Sequence, residues 1–300
     1  MLVVLGVIFT CGQVAQGEPI RVVTSIPDLA DIASQIGGER ITVRSLATGV
    51  ENPHSVPMKP SFVSLLNRAD VVIAQGLGLE HAFLPGLLEV ARNPHVMQGM
   101  PGYIDCSIGI KALDVPKKLD RSQGEQHPDG NPHFNLSPTY GRTIAMNIAN
   151  GLSKLYPADE EVFSKNLKAF LGKLDSAIEK WKVKGAPLKG VTFVSYHPDM
   201  AYLADFYGMI GVGTIEEKPG VDPTPSHIVE LKETINRERV KLIIRERHYP
   251  ASLAETLAQE TGAHVADLSV MTGGLPDTKD YFSFIDTNLN VLLAALNKAQ

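Results

Sequence analysis

Asp70-Val71-Val72-Ile73-Ala74-Gln75 is an unbroken apolar run, and the turn Gly76-Leu77-Gly78 follows it directly. A strand with no polar alternation is covered on both faces, as in parallel sheets with helices packed on either side. The flanking sequence repeats the theme. Upstream, Ile20 to Ser25 reads as a strand, Asp28 to Ile36 as a helix ended by Gly37-Gly38, Ile41 to Leu46 as a strand, and Lys59 to Asn67 as a helix with Pro60 in its first turn. Strands alternating with helices predict parallel βαβ units.

The alternation returns in the second half. Strands are expected at Gly190 to Tyr196, Gly211 to Ile215, Val240 to Ile244 and His264 to Leu268. Helices are expected at Met200 to Tyr207, Pro225 to Arg237, Leu253 to Thr261 and Tyr281 to Lys298. Between the halves, Pro138 to Leu155 has a helical pattern. Ala158 to Lys184 then places Val162, Phe163, Leu167, Phe170, Leu171, Leu174, Ala177, Ile178 and Trp181 at steps of three and four. That amphipathic helix, about 25 residues, would run roughly 38 Å at about 1.5 Å per residue.

Composition narrows the function. The 300 residues, 44% hydrophobic and 20% charged, suit one large or two medium soluble domains. A net charge of −5 with dispersed Lys and Arg argues against a nucleic-acid partner. Residues 1–17 pair an apolar stretch with a small-residue end, Ala15-Gln16-Gly17, and are read as a secretory signal peptide cleaved before Glu18. The apolar stretch is too short to span a bilayer. Ile8-Phe9-Thr10 is a poor lipid-attachment sequence, so a lipid anchor at Cys11 is disfavoured. With Cys11 removed, Cys106 has no partner for an internal disulfide and reads as a small buried residue.

The chemistry points to a metal. His54 and His133 close two copies of the tripeptide Asn-Pro-His, and His197 ends the strand-like Val194-Ser195-Tyr196. Asp280 stands in a loop before the last helix. The gaps of 79, 64 and 83 residues rule out a local zinc-finger arrangement and require a folded scaffold. Three imidazoles and a carboxylate suit a divalent transition metal, zinc first. For Asp280 the competing role is a helix N-cap. His81, His95, His127, His227, His248 and His264 lack the common setting and are taken as structural or solvated. No His-Glu-x-x-His pattern or nucleophile elbow is present, so catalysis is not expected.

These pieces together resemble the cluster A-I solute-binding proteins of bacterial ABC importers for zinc and manganese. The resemblance covers about Ile20 to Ala299. It rests on Asn52-Pro53-His54 with Lys59-Pro60-Ser61, on Ala69-Asp70-Val71-Val72 through Glu80, on Asn131-Pro132-His133, on Ser195-Tyr196-His197 with Tyr207-Gly208, and on Glu255-Thr256-Leu257-Ala258 through Gly262-Ala263. It implies an α/β fold of two Rossmann-like lobes with parallel sheets, joined by one long rigid helix, with the metal buried between them. The N-terminal lobe would be residues 18–156, the linking helix 157–186 and the C-terminal lobe 187–300. His54 and His133 would come from the first lobe, His197 and a carboxylate from the second. Asp280 is the best match for the carboxylate, with Asp277, Glu246 or a water as alternatives. The segment before the second ligand departs from many zinc members, because Gln123 to Gly130 carries only His127, Glu125 and Asp129.

The resulting expectation is a monomeric, extracytoplasmic receptor that delivers Zn2+, alternatively Mn2+ or Fe2+, to a membrane permease. A zinc-dependent hydrolase and a receptor for a chelated metal or cofactor are the competing readings. The low aromatic content, 6%, disfavours the last of these.

Overall fold

The computed structural model describes residues 18–119, 124 and 126–299. The expected signal segment and Cys11 lie outside the described residues. Two parallel four-stranded sheets are present, and both have the same internal order. The first comprises β1 (Ile20–Thr24), β2 (Ile41–Ser45), β3 (Val71–Ala74) and β4 (Tyr103–Asp105), in the order β2-β1-β3-β4. The second comprises β5 (Thr192–Ser195), β6 (Ile210–Thr214), β7 (Leu242–Glu246) and β8 (His264–Leu268), in the order β6-β5-β7-β8. The interior strands β3 and β7 are buried at every position. Their continuous apolar character in the sequence is thereby explained.

The helices are α1 (Pro27–Gly37), α2 (Pro60–Asn67), α3 (Leu84–Ala91), α4 (Pro138–Leu155), α5 (Glu160–Gly185), α6 (Ala201–Tyr207), α7 (Pro225–Arg237), α8 (Ala251–Thr261) and α9 (Tyr281–Lys298). The short strand β4 and the helix α3 have no clear period in the sequence. In α3, Leu84-Pro85-Gly86-Leu87-Leu88-Glu89-Val90-Ala91 is apolar on almost every side. A free cysteine, Cys106, is buried just beyond β4, as expected.

The long helix forms as the spacing predicts. Its 26 residues bury Phe163, Phe170, Leu174 and Trp181 on one stripe. That stripe packs on α1 and α4 of the first lobe and on α9, which in turn lies on β7 and β8 of the second. Phe282 of α9 makes ring contacts with both Phe170 and Trp181. One apolar core therefore continues from the first sheet through α5 and α9 to residues of the second, including Leu242, Ile244, Ala266 and Leu268. The outer face of the second sheet has a separate, smaller cluster around Val194, Ile215, Leu231 and Leu257.

Polar groups complete the contact between lobes. Asp28, in the first turn of α1, accepts the Thr272 N–H at 3.2 Å. Asn135 donates to the Val270 carbonyl at 2.9 Å and to Asp28 at 3.4 Å. Asp31 accepts the Tyr281 N–H at 2.9 Å. Gly49 has a φ of +101°, and a Cβ there would lie 2.2 Å from the Thr272 carbonyl oxygen, so a side chain would push the lobes apart.

Asp28 supplies a test of this contact. Burial raises its carboxyl from 3.8 to about 7, against the opposing hydrogen bonds from Thr272 and Asn135. A raised folded-state pKa means that the native protein binds the proton more tightly, so stability falls as pH rises from about 4 towards 7. Asp28→Asn removes that slope. The melting temperature of the metal-free variant, relative to the parent, should therefore shift in the variant's favour between pH 5 and pH 8. Parallel melting curves across that range would show that the folded protein already holds Asp28 ionised at pH 5.

Candidate metal centre

The ligand-bearing loops sit at the carboxyl ends of strands, where open α/β sheets hold their ligands. His54 follows β2, His133 lies in the long connection after β4, and His197 follows β5. The duplicated tripeptide folds the same way twice. In the first copy the Asn52 side-chain oxygen accepts the His54 N–H at 2.9 Å. In the second, Asn131 accepts the His133 N–H at 3.1 Å. Each is an Asx turn with proline at its centre, a geometry that Asn and Pro favour locally. The third ligand turn is fixed differently: the Ser195 hydroxyl donates to the His197 carbonyl at 2.6 Å.

Cross-links lock these turns together. The Gln75 side chain donates to the Pro132 carbonyl at 3.1 Å, and the Tyr202 hydroxyl donates to the Asn131 carbonyl at 2.8 Å. The Asn131 amide also donates to the Pro198 carbonyl at 2.8 Å, which ties the His133 turn to the residue after His197.

Three imidazoles meet at the centre. His54, His133 and His197 each offer one ring nitrogen, and these atoms all lie within 4.8 Å of one another. The Nε2 atoms of His54 and His133 stand 3.0 Å apart. Two nitrogens on one tetrahedral zinc are about 3.4 Å apart at bond lengths near 2.05 Å, so the cluster needs only a small adjustment to take an ion. All three residues are buried. Burial, reinforced by neighbouring imidazoles, holds His54 and His133 well below the usual histidine range. The rings are thus neutral at physiological pH, the form that binds a metal.

His197 has an orienting partner that the sequence reading did not identify. Glu216, at the end of β6, receives its Nδ1–H at 2.7 Å. The same Glu216 oxygen accepts the Gly220 N–H at 3.2 Å. A carboxylate on Nδ1 selects one tautomer and directs Nε2 inward. Its only sequence signal was an acidic residue closing a strand.

None of the carboxylates weighed as a fourth ligand joins the three histidines in that group. Asp280 is the N-cap of α9: it accepts the Ser283 N–H at 2.8 Å, and the Ser283 hydroxyl accepts the Asp280 N–H at 2.9 Å. That capping box commits its side chain to the helix end. Glu246 is fully buried close to the Asp199 carboxyl. Burial and that like charge push Glu246 well above the usual carboxyl range, and Asp199 is raised to about 6, chiefly by burial. Asp277 is exposed in the preceding loop. Among the described residues the group that could hold a metal ion consists of the three histidines.

Two other histidines that the sequence gave no reason to select border the centre. The His127 ring stacks on His54 with centroids 4.9 Å apart. His248 packs against Tyr249 at 4.4 Å, and Tyr249 in turn stacks on His197 at 6.1 Å. Burial lowers both His127 and His248 to about 4. A cavity of about 190 Å³ reaches the centre past Asp114, Gln126, His127, Asn131 and Pro219. At about 30 Å³ per water it holds an ion and a few waters.

Comparison with known proteins gives the family of the fold. The family described as "Zinc-uptake complex component A periplasmic" matches residues 22–295. The zinc-binding lipoprotein AdcA of Streptococcus pneumoniae is 26% identical over 94% of this chain, although the chain spans only 57% of that protein's length. The manganese ABC transporter substrate-binding lipoprotein PsaA of Streptococcus mitis is 25% identical over 95% of this chain and 91% of its own. A crystal structure of ZnuA superposes with a TM-score of 0.75 at 26% identity, over 94% of this chain and 98% of that one. Among the described residues no helix is long and apolar enough to cross a membrane. The chain belongs to the ZnuA family, the zinc- and manganese-binding substrate-binding proteins of ABC transporters.

Proposed function

We propose that this protein captures Zn2+ outside the cytoplasm, between its two lobes, and presents it to the permease of an ABC importer. The observation that carries this reading is the convergence of three buried imidazoles. His54, His133 and His197 would be the ligands, and solvent from the adjoining cavity would fill the fourth position. An all-nitrogen protein ligand set favours zinc over manganese, which prefers carboxylate, carbonyl and water oxygens. Capture rather than hydrolysis fits the polar groups around the centre. Glu216 is turned to the back of His197, so it does not stand ready as a general base. Residues 1–17 would direct export.

Zinc should bind one ion per chain, as read by elemental analysis of protein purified without added metal and by titration against a chromophoric chelator. Replacing His54, His133 or His197 by Ala should weaken binding by on the order of a hundredfold or more, with the fold retained. Preferential retention of manganese by the purified protein would overturn the zinc assignment. Undiminished zinc affinity in all three variants would overturn the site.

Asp280→Ala separates capping from ligation. Loss of the N-cap should cost about 1 kcal/mol, or roughly 2–4 °C in melting temperature. Zinc affinity should stay within about threefold of the parent. A loss comparable to that of the histidine variants would return Asp280 to the ligand set.

Glu216 is tested by its effect on His197. Glu216→Ala should weaken zinc binding by roughly tenfold or more, whereas Glu216→Gln, which retains an acceptor, should recover part of that loss. In the metal-free protein, nitrogen-15 NMR should show His197 as the Nδ1–H tautomer and a tautomer mixture in Glu216→Ala. An unchanged tautomer would rule out the orienting role.

A further inference from the structure

A cavity of about 570 Å³ stands in the first lobe, apart from the metal centre. None of His54, His133 and His197 lines it. It opens beyond the carboxyl ends of β3 and β4, where open α/β sheets hold ligands. Its volume falls within the roughly 300–1,000 Å³ of small-molecule sites. Such sites combine an apolar wall with a few placed polar groups, and this cavity has both.

Leu77, Leu84, Leu88 and Met97 supply the apolar wall. Two of them belong to α3, the helix that is apolar on almost every side. α3 packs on α2 and also lines the cavity. A helix with two such duties needs apolar residues on more than one face, which accounts for its missing period.

The polar wall is acidic. Asp105 closes β4, and Asp129 stands in the loop before His133. Among the described residues that line the cavity there is no Lys or Arg. Asp105 is held in place, because its Oδ1 accepts the Ser107 N–H at 2.8 Å and the Ser107 hydroxyl at 2.6 Å. Gly76 has a φ of +91°, and a Cβ there would lie 2.2 Å from that same oxygen. Only a glycine lets the turn after β3 close so tightly on the carboxylate. Glu80, buried below, accepts the N–H groups of Gln75 at 2.6 Å and Gly76 at 3.3 Å and so shapes the turn. Burial, then the charges of Glu80 and Asp105, push the Tyr103 phenol up, so this lining residue remains a neutral O–H donor.

Carboxylates in a concave wall without a fixed counter-charge draw cations. A bare metal ion would gain nothing from the leucines of α3, whereas a carbon skeleton would. The geometry points to a second binding site in this protein, for an organic ammonium ion: a primary amine on an apolar or aromatic body. Asp105 and Asp129 would take its N–H groups, and Leu77, Leu84, Leu88 and Met97 its skeleton. The site stands independently of the metal-receptor reading.

The test is calorimetric titration of the full chain with tryptamine, with its neutral isostere tryptophol and with anionic indole-3-acetate. Tryptamine should bind one per chain, about tenfold or more tighter than tryptophol, and indole-3-acetate should give no saturable heat. Asp105→Asn and Asp129→Asn should each weaken tryptamine by about fivefold or more. Gln98→Lys, which places a competing ammonium in the exposed part of the wall, should abolish binding. Glu255→Gln, an exposed acid on α8, should match the parent. One equivalent of Zn2+ should leave the tryptamine affinity within about twofold. If Asp105→Asn fails to fold, the exposed Asp129 and Gln98 positions decide the matter. Absence of saturable tryptamine binding up to about 10 mM would overturn the site. So would tryptophol binding as tightly, unchanged affinity in Asp129→Asn and Gln98→Lys, or displacement of tryptamine by Zn2+, which would put the amine at the metal centre instead.

Discussion

Three imidazoles carried by two separate sheets can share one ion only if the sheets keep their distance to within about half an ångström. Everything between the lobes serves that constraint. The apolar core is not two cores in contact but one, running through α5 and α9. Where the backbone must pass close, at Gly49 and Thr272, a side chain is excluded. Polar groups there are satisfied across the boundary, with Asp28 and Asn135 engaging the Val270–Thr272 turn. A close-packed contact of this kind has few alternative arrangements.

On that fixed frame the local chemistry is simple. Two Asx turns present two imidazoles in the same way, and a carboxylate sets the tautomer of the third. Burial keeps the His54 and His133 rings neutral, which removes proton competition at those two at ordinary pH. The same burial has a cost elsewhere. Asp199 and Glu246 lie under His197 and are both pushed towards the protonated form. The site is held from beneath by a carboxyl pair that cannot carry two charges.

Much of this was legible in the sequence. The parallel sheets followed from unbroken apolar runs such as Val71–Ala74, and α4, α7 and α9 begin and end where the pattern placed them. The three histidines stood out because two share a tripeptide and the third closes a strand. Less visible was α3, whose apolar residues show no face. Asp280 illustrates a sharper limit: an acid before a helix satisfies both a ligand reading and a cap, and only the Ser283 partner three residues on distinguishes them. His127 and Glu216 were not identifiable, because their roles depend on where a loop and a strand end come to rest against residues distant in sequence.

Asn131 gives the centre a property that no single ligand has. Its side-chain oxygen holds the His133 turn and its nitrogen holds Pro198, next to His197. One planar amide, a few ångströms long and unable to stretch, thus acts as a calliper between ligands from opposite lobes. It ties the spacing of the His133 and His197 turns together. An Asp at this position, which accepts but cannot donate, would release one jaw and leave the two turns free to drift apart.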